Sequence, residues 1–393
     1  MTAGPRRIVV VGGGVAAERC VHGLRERGFD GSLVMVTRER DLPYDRTLVS
    51  KDLLGAEPPA REPSLQPAGS YDERGIEVRA GTEATGIDVE ARRLSLSDGD
   101  ALEYDRLVIC TGGEPVVPAA LACPGVHVLR ELRDARALRE ALDGCGTLAI
   151  VGGGFIGGEV ASSAAARGIE VTLVEALEQP LARVAGPEVG ARVAELHRRN
   201  GVQVLTGVLA TGIGREGDGF ELSLADGRTL RADAVVVGAG MRPVTGWLAG
   251  SPVRVDDGII TDSACRTSVP GVLAAGDCAR WWHPGYERLV RVEHWDTARR
   301  HGAAAAAAAL GEGEPFAPLP FFWSDQHGVK LQFVGYAPVW DEIDVDDADD
   351  DGGFVARYRL DGRLMGVFAA GQPRAIGAAR RELQSTPTEV NRT

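Results

Sequence analysis

The chain has 393 residues, 44% of them hydrophobic and 25% charged, with a formal net charge of −13. This is a globular composition, long enough for two or three domains, and the net acidity speaks against nucleic acid as a partner. No apolar run reaches the roughly 18 residues of a membrane span, and a first strand at Ile8 leaves no room for a signal peptide, so a cytoplasmic protein without membrane contact is expected. Six scattered cysteines (Cys20, Cys110, Cys123, Cys145, Cys265, Cys278) form no C-x-x-C pair and read as buried or incidental thiols, with no metal site.

In chain order, an apolar run from Ile8 leads through glycines into a helical pattern, and a second strand covers residues 32–37. A polar segment with Pro58, Pro59, Pro63 and Pro67 predicts surface loop. Residues 76–80 and 94–96 alternate like antiparallel strands and predict a β-meander. Residues 105–113 read as a buried strand ending in a turn. A second strand, glycine turn and helix starts at Leu148, with strands at 171–175 and 234–237. Residues 272–279 predict a strand running into a helix start. Seven consecutive alanines, 303–309, predict a close-packed helix. From Pro315 the composition changes, with strands at 330–334 and 354–358. The acidic run at 341–351 between them predicts a solvated hairpin loop.

The glycine turn occurs twice, as IVVVGGGVAAERCVHGLRERG from Ile8 and as LAIVGGGFIGGEVASSAAARG from Leu148. Strand, tight turn and helix in that order let the backbone approach a pyrophosphate at the positive end of the helix. Two copies 140 positions apart predict an α/β chain that holds two dinucleotides and moves electrons between them. The first copy has Gly12 and Gly14 with Ala17 at the third position. Its ribose-binding acid would be Glu39, preceded by Arg38, although the strand ends at Thr37. The second has Gly152, Gly154 and Gly157, with Glu175 ending the next strand 18 residues past Gly157. A carboxylate there accepts from a ribose 2′-hydroxyl and repels a 2′-phosphate. With no arginine until Arg183, NADH is expected rather than NADPH.

Flavoprotein disulfide reductases carry two cysteines after the second strand, and here LPYDRTLVSKDLL, from Leu42, has none. Its Pro43, Tyr44, Arg46, Ser50 and Lys51 match a more specific pattern. So do Cys110-Thr111-Gly112, Leu129-Arg130 with Asp134-Ala135, and Ala274 to Asp277. Arg291, Glu293, Trp295 and Ala298 follow, and Phe-Trp-Ser-Asp-Gln stands at Phe322 to Gln326. On these residues, spread from 7 to about 372, the chain resembles the flavin-dependent ferredoxin reductases of bacterial oxygenase systems.

The resemblance implies two Rossmann-like domains of the pyridine nucleotide-disulfide oxidoreductase type, plus a C-terminal α+β domain. The FAD domain would be 1–112 with 245–315, the NADH domain 113–244, and the reductase domain 316–393. It implies that FAD contacts Gly12, Gly14, Val15, Ala16 and Ala17 at the turn, and Arg38, Glu39, Arg46 and Ala84 beside it. Further contacts would be Thr111, Gly112, Arg130, Asp277 on the ribityl chain, Glu293, His294, Trp295 by the ring and Trp323 on its exposed side. NADH would contact Gly152, Gly154, Phe155, Ile156, Gly157, Glu175 and Gly240. Lys51 would sit at flavin N5 with Glu159 close by, as the catalytic pair. Thr47 and Leu48 replace two family prolines, and Arg38 stands where an aspartate is common.

The implied activity is hydride transfer from NADH to FAD, then single electrons to a ferredoxin that feeds an oxygenase, in a monomer or homodimer. Ferredoxins are usually acidic, so docking on this acidic chain calls for a local basic surface, of which Arg299 and Arg300 are the candidates. The alternatives are a redox-signalling flavoprotein resembling apoptosis-inducing factor, and an NADH oxidase or small-acceptor reductase.

Overall fold

The computed structural model describes residues 4–57, 62–67, 69–347 and 353–385. A parallel five-stranded sheet forms the first unit, in the order Val272–Ala274, Arg106–Ile109, Arg7–Val11, Ser32–Thr37, Ile76–Ala80. Its central strands are continuous Val/Ile/Leu runs because both faces are covered. Ile8, Val10, Leu33 and Met35 pack against the helices Val15–Glu26 and Trp295–Ala309. Val9, Val11, Val34 and Val36 pack against Ala84, Leu94 and Leu96 on the other face.

The alanine run forms the second of those helices, where small side chains allow a close crossing. A Cβ at Gly302 would collide with the Ala16 carbonyl, and one at Gly23 would lie 3.2 Å from the Ala306 Cβ.

Two of the expected elements are corrected here. Residues 76–80 do not join a meander; Ile76–Ala80 pairs in parallel with Ser32–Thr37 as the sheet edge, Leu33 facing Ile76. Alternation marks a half-covered strand, and a parallel edge strand is half covered too. The antiparallel meander is Ala84–Asp88, Arg93–Leu96 and Ala101–Glu103. Nor does residue 279 start a helix. Gly276, at φ +80°, turns the chain, the Ala279 N–H donates to the Gly276 carbonyl, and Ala279–His283 continues as a strand. Its Arg280, Trp281 and Trp282 suit a half-buried pleated surface.

The second unit has a parallel sheet in the order Gln203–Thr206, Glu170–Glu175, Thr147–Val151, Ala234–Val237. The short strands Gly113–Pro115 and Met241–Pro243 pair where the chain enters and leaves it. Its core takes in Tyr44, Val49 and Leu54, so the segment bearing Lys51 is anchored on this unit.

The last unit is an antiparallel sheet in the order Phe321–Gln326, Val329–Gly335, Arg363–Ala370, Phe354–Leu360, Glu342–Asp347, with the helix Pro373–Ser385 on one face. The other face packs on Val189 and Val193 of the helix Ala182–Arg199. The first six acidic-run residues after Asp341 are therefore an edge strand and not a loop. Asp344 lies opposite Arg357, and Arg192 reaches Asp347 at 3.0 Å. Charges on an edge strand discourage pairing with another chain. Residues 348–351 of the run, and Pro58 and Pro59, lie outside the described residues. Pro63 lies in a loop, its carbonyl taking the Asp45 N–H at 2.7 Å. Among the described residues no helix is long and apolar enough to cross a membrane.

Candidate functional site

The first glycine turn is dictated by close approach. Gly12 has φ +134°, and a Cβ there would strike the Cys110 carbonyl. Gly14 is open on its free side, with only Arg46 Nε at 4.0 Å, and the helix that follows has no side chain capping its N-terminus. Orphan N–H groups at a helix start favour an anion.

Two connected cavities begin there. The smaller, about 80 Å³, is lined by Gly12, Gly14, Arg38, Glu39, Ala84 and Thr111, among others. The larger, about 500 Å³, is lined by Val15, Ala16, Lys51, Asp277, Trp295 and Trp323, together with Phe155, Ile156, Glu159, Glu293 and His294. Gly14, Arg46, Gly112 and Arg130 belong to both. Ala17, by contrast, is fully buried behind the turn and lines neither cavity.

Arg46 and Arg130 thus place two guanidinium groups at the junction. Burial and the Arg46 charge press Arg130 below its ordinary value, and Asp277 Oδ2, at 3.4 Å, relieves it in part. Arg46 is fastened by Glu39, which also accepts from the Tyr44 hydroxyl at 2.6 Å. Burial pushes the Glu39 carboxyl up, but Arg46 and Tyr44 outweigh it and leave it below the usual range. Arg38 turns instead to Glu131, at 2.9 Å.

Lys51 Nζ lies 2.9 Å from Glu159 Oε1 and donates to the Thr47 carbonyl at 3.2 Å. Glu159 is 4% exposed. It accepts from Ser324 Oγ at 2.6 Å and from Ser50 Oγ. In the lining of the same cavity, Trp295 and Trp323 meet edge to face, with centroids 6.0 Å apart. Arg291 Nε, His294 Nδ1 and Trp295 Nε1 belong to cavity-lining residues and are buried without a partner among the described residues. Burial pushes His294 down to about 4. A cavity in two parts, cationic at its waist, with an uncapped helix start and unpaired polar atoms in its wall, fits FAD.

A family of pyridine nucleotide-disulphide oxidoreductases matches residues 6–302, and a reductase C-terminal family matches 321–391. Rhodocoxin reductase of Rhodococcus erythropolis is 35% identical, over 98% of this chain and 91% of its own length. The anthranilate 1,2-dioxygenase system ferredoxin--NAD(+) reductase component of Burkholderia cepacia is 37% identical, over 97% and 94%. The structure of the covalent putidaredoxin reductase–putidaredoxin complex superposes with a TM-score of 0.93 at 31% identity, over 98% of this chain and 94% of that one. The chain belongs to the ferredoxin reductases of the pyridine nucleotide-disulphide oxidoreductase family.

Like other members of that family it is an oxidoreductase that uses FAD and NADH. The second glycine turn lies outside both cavities but feeds the same helix, Phe155–Ala166, that carries Glu159. A Cβ at Gly157 would strike the Gly152 carbonyl, whereas Gly154 is open. Glu175 accepts from the Gly153 N–H at 2.6 Å and from the Leu177 N–H at 2.8 Å, so the acid is fixed against the turn. Gly240, at φ +118°, accepts from the Val116 N–H through its carbonyl.

Reading this reductase from sequence missed the hydroxyls of Ser50 and Ser324 as partners of Glu159. Both lie inside recognised motifs, so a signal existed. It also missed His197, buried and bonded to Gln326 at 3.0 Å. In the last turn of a helix beside Arg198 and Arg199, it resembles an ordinary C-terminal basic residue.

Proposed function

We propose that this chain takes electrons from NADH and passes them singly to an iron–sulfur ferredoxin serving an oxygenase. When bound, FAD accepts a hydride from NADH and releases its two electrons one at a time. In this reading Arg46, Arg130 and the start of the helix Val15–Glu26 hold the pyrophosphate, and Asp277 holds the ribityl chain. Lys51, steadied by Glu159 and the Thr47 carbonyl, presents a fixed positive charge where negative charge develops. Glu175 takes the ribose 2′-hydroxyl of NADH and excludes a 2′-phosphate. Trp295 and Trp323 close the ring end of the cavity against water.

The observation that carries the reading is the Lys51–Glu159 pair lining the same cavity as Trp295 and Trp323, in a chain whose segment 42–54 holds no thiol. With no dithiol beside the ring, the electrons need an acceptor outside the chain. Arg299 and Arg300, both exposed on the helix Trp295–Ala309, are our candidates for docking an acidic ferredoxin. Arg300 is steadied by Asp296 at 2.9 Å. Stopped-flow reduction with NADH and NADPH, followed by reoxidation with a ferredoxin panel, tests the proposal. Faster reduction by NADH, and reoxidation by a ferredoxin faster than by oxygen, are expected. Electron transfer no faster to any ferredoxin than to oxygen would refute it.

A further inference from the structure

Behind Glu159 the polar side chains form a chain with a single direction. Ser324 Oγ lies 2.6 Å from Glu159 Oε1 and 3.0 Å from Gln326 Nε2. Gln326 Oε1 lies 3.0 Å from His197 Nε2, and His197 Nδ1 lies 2.9 Å from His327 Nε2. Three elements supply these groups: the helix Phe155–Ala166, the hairpin of Phe321–Gln326 and Val329–Gly335, and the helix Ala182–Arg199. Gly158 admits the amide, since a Cβ there would lie 2.7 Å from Gln326 Nε2.

The protons can be placed by counting. Glu159, paired with the Lys51 ammonium, accepts only, so the one hydroxyl proton of Ser324 points at it. Ser324 must then accept from Gln326, which turns the NH₂ of that amide to the serine and its oxygen to His197. His197 must carry its proton on Nε2. Burial holds His197 neutral, pushing it down to about 4, so its Nδ1 is bare and accepts from His327. Every donor in the line therefore points toward Glu159, and such chains reinforce one another.

We infer that His197 and Gln326 are positioning residues for the reaction at the cavity: they fix Ser324 as a donor and thereby hold the Glu159 carboxylate against Lys51. This role rests on the proposed reading in which Glu159 steadies Lys51 at the flavin site. The C-terminal unit, which supplies Ser324, Gln326 and His327, then contributes to the NADH half-reaction.

Two measurements on the FAD-loaded protein test the inference, and neither uses ferredoxin, so their failure would leave the proposed electron acceptor standing. Long-range ¹⁵N NMR at pH 7 is expected to find His197 and His327 neutral and protonated on Nε2. A His197 proton on Nδ1, or a charged His197, overturns the inference. Gln326→Glu and Gln326→Met separate direction from packing. A carboxylate at 326 draws the Ser324 proton away from Glu159, and flavin reduction at saturating NADH should slow about tenfold, the size of one charge-assisted hydrogen bond. A thioether withdraws the donor that fixes Ser324 without reversing its proton, and the loss should be smaller, about threefold, with NADH affinity unchanged in both. Equal losses in the two variants would mean that residue 326 acts by packing alone.

Discussion

Lys51 and Glu159 meet at 2.9 Å although they are 108 positions apart, one on a loop of the first nucleotide unit and the other on the helix Phe155–Ala166, after the glycine turn of the second. The loop is anchored by Tyr44, Val49 and Leu54 in the core of the second unit, which carries the lysine to its partner. Replacing Lys51 by methionine keeps the stem and removes the charge. We expect FAD to stay bound and reduction by NADH to slow by about 100-fold, the scale for losing one preorganised electrostatic contact. Anaerobic stopped-flow at saturating NADH measures this, and a rate within threefold of the parent contradicts it.

In the proposed reading Glu175 has two tasks, and its removal should show both. With Glu175→Ala the repulsion of a 2′-phosphate disappears, and the ratio of kcat/KM for NADH over NADPH should fall at least tenfold. The Gly153 and Leu177 N–H groups lose their acceptor at the same time, at about 1.5–3 kcal/mol for a bond to a charged group. A variant that still discriminates as the parent does would reassign the 2′-hydroxyl to another residue.

Gly302 sets the distance between the alanine helix and the helix that opens the FAD site. Gly302→Val should force the two apart, costing about 1–3 kcal/mol in the manner of overpacked cores. Because Ala16 both opposes Gly302 and lines the cavity, FAD content should fall along with the melting temperature. A destabilised variant with full FAD occupancy would uncouple the crossing from the cofactor.

His197 and His301 are buried and held neutral, pushed down to about 4 and about 3 by desolvation. The unfolded chain protonates them near their ordinary value of 6.5, so it binds more protons than the native state at any pH between those limits. Their contribution to stability is therefore complete above about pH 6.5. It is lost as pH falls toward about 4, at about 1.4 kcal/mol per pH unit for each histidine. Thermal denaturation at pH 7.5 and pH 5 should show the loss, and replacing both residues should reduce it, with His294, also pushed down to about 4, keeping part of the slope.

Charge reversal at Arg299 and Arg300 should raise the KM for an acidic ferredoxin at low salt and leave reduction by NADH untouched. The difference from the parent should shrink at high ionic strength, where exposed charges are screened. An unchanged KM at low salt would remove this surface from consideration.

Both nucleotide units were legible in the chain because their signals are local. An apolar strand, glycines at fixed offsets and a helical pattern fall within about twenty residues, and the acid at Glu175 follows at the expected distance. The alanine run likewise announced a close crossing, because only small side chains permit one. Local pattern misled where a strand's partner lay far away. Residues 76–80 alternate in the same way whether the neighbouring strand is parallel or antiparallel, and the turn at Gly276 looked like a helix start. The surroundings of Glu159 were beyond local reading altogether. Lys51, Ser50, Ser324, Gln326 and His197 come from three separate stretches, and no spacing connects them. Packing of the three units brings these groups together, and burial then compels each polar atom to find its partner. That compulsion gives the hydrogen-bond chain its direction, a property that exists only once the chain is folded.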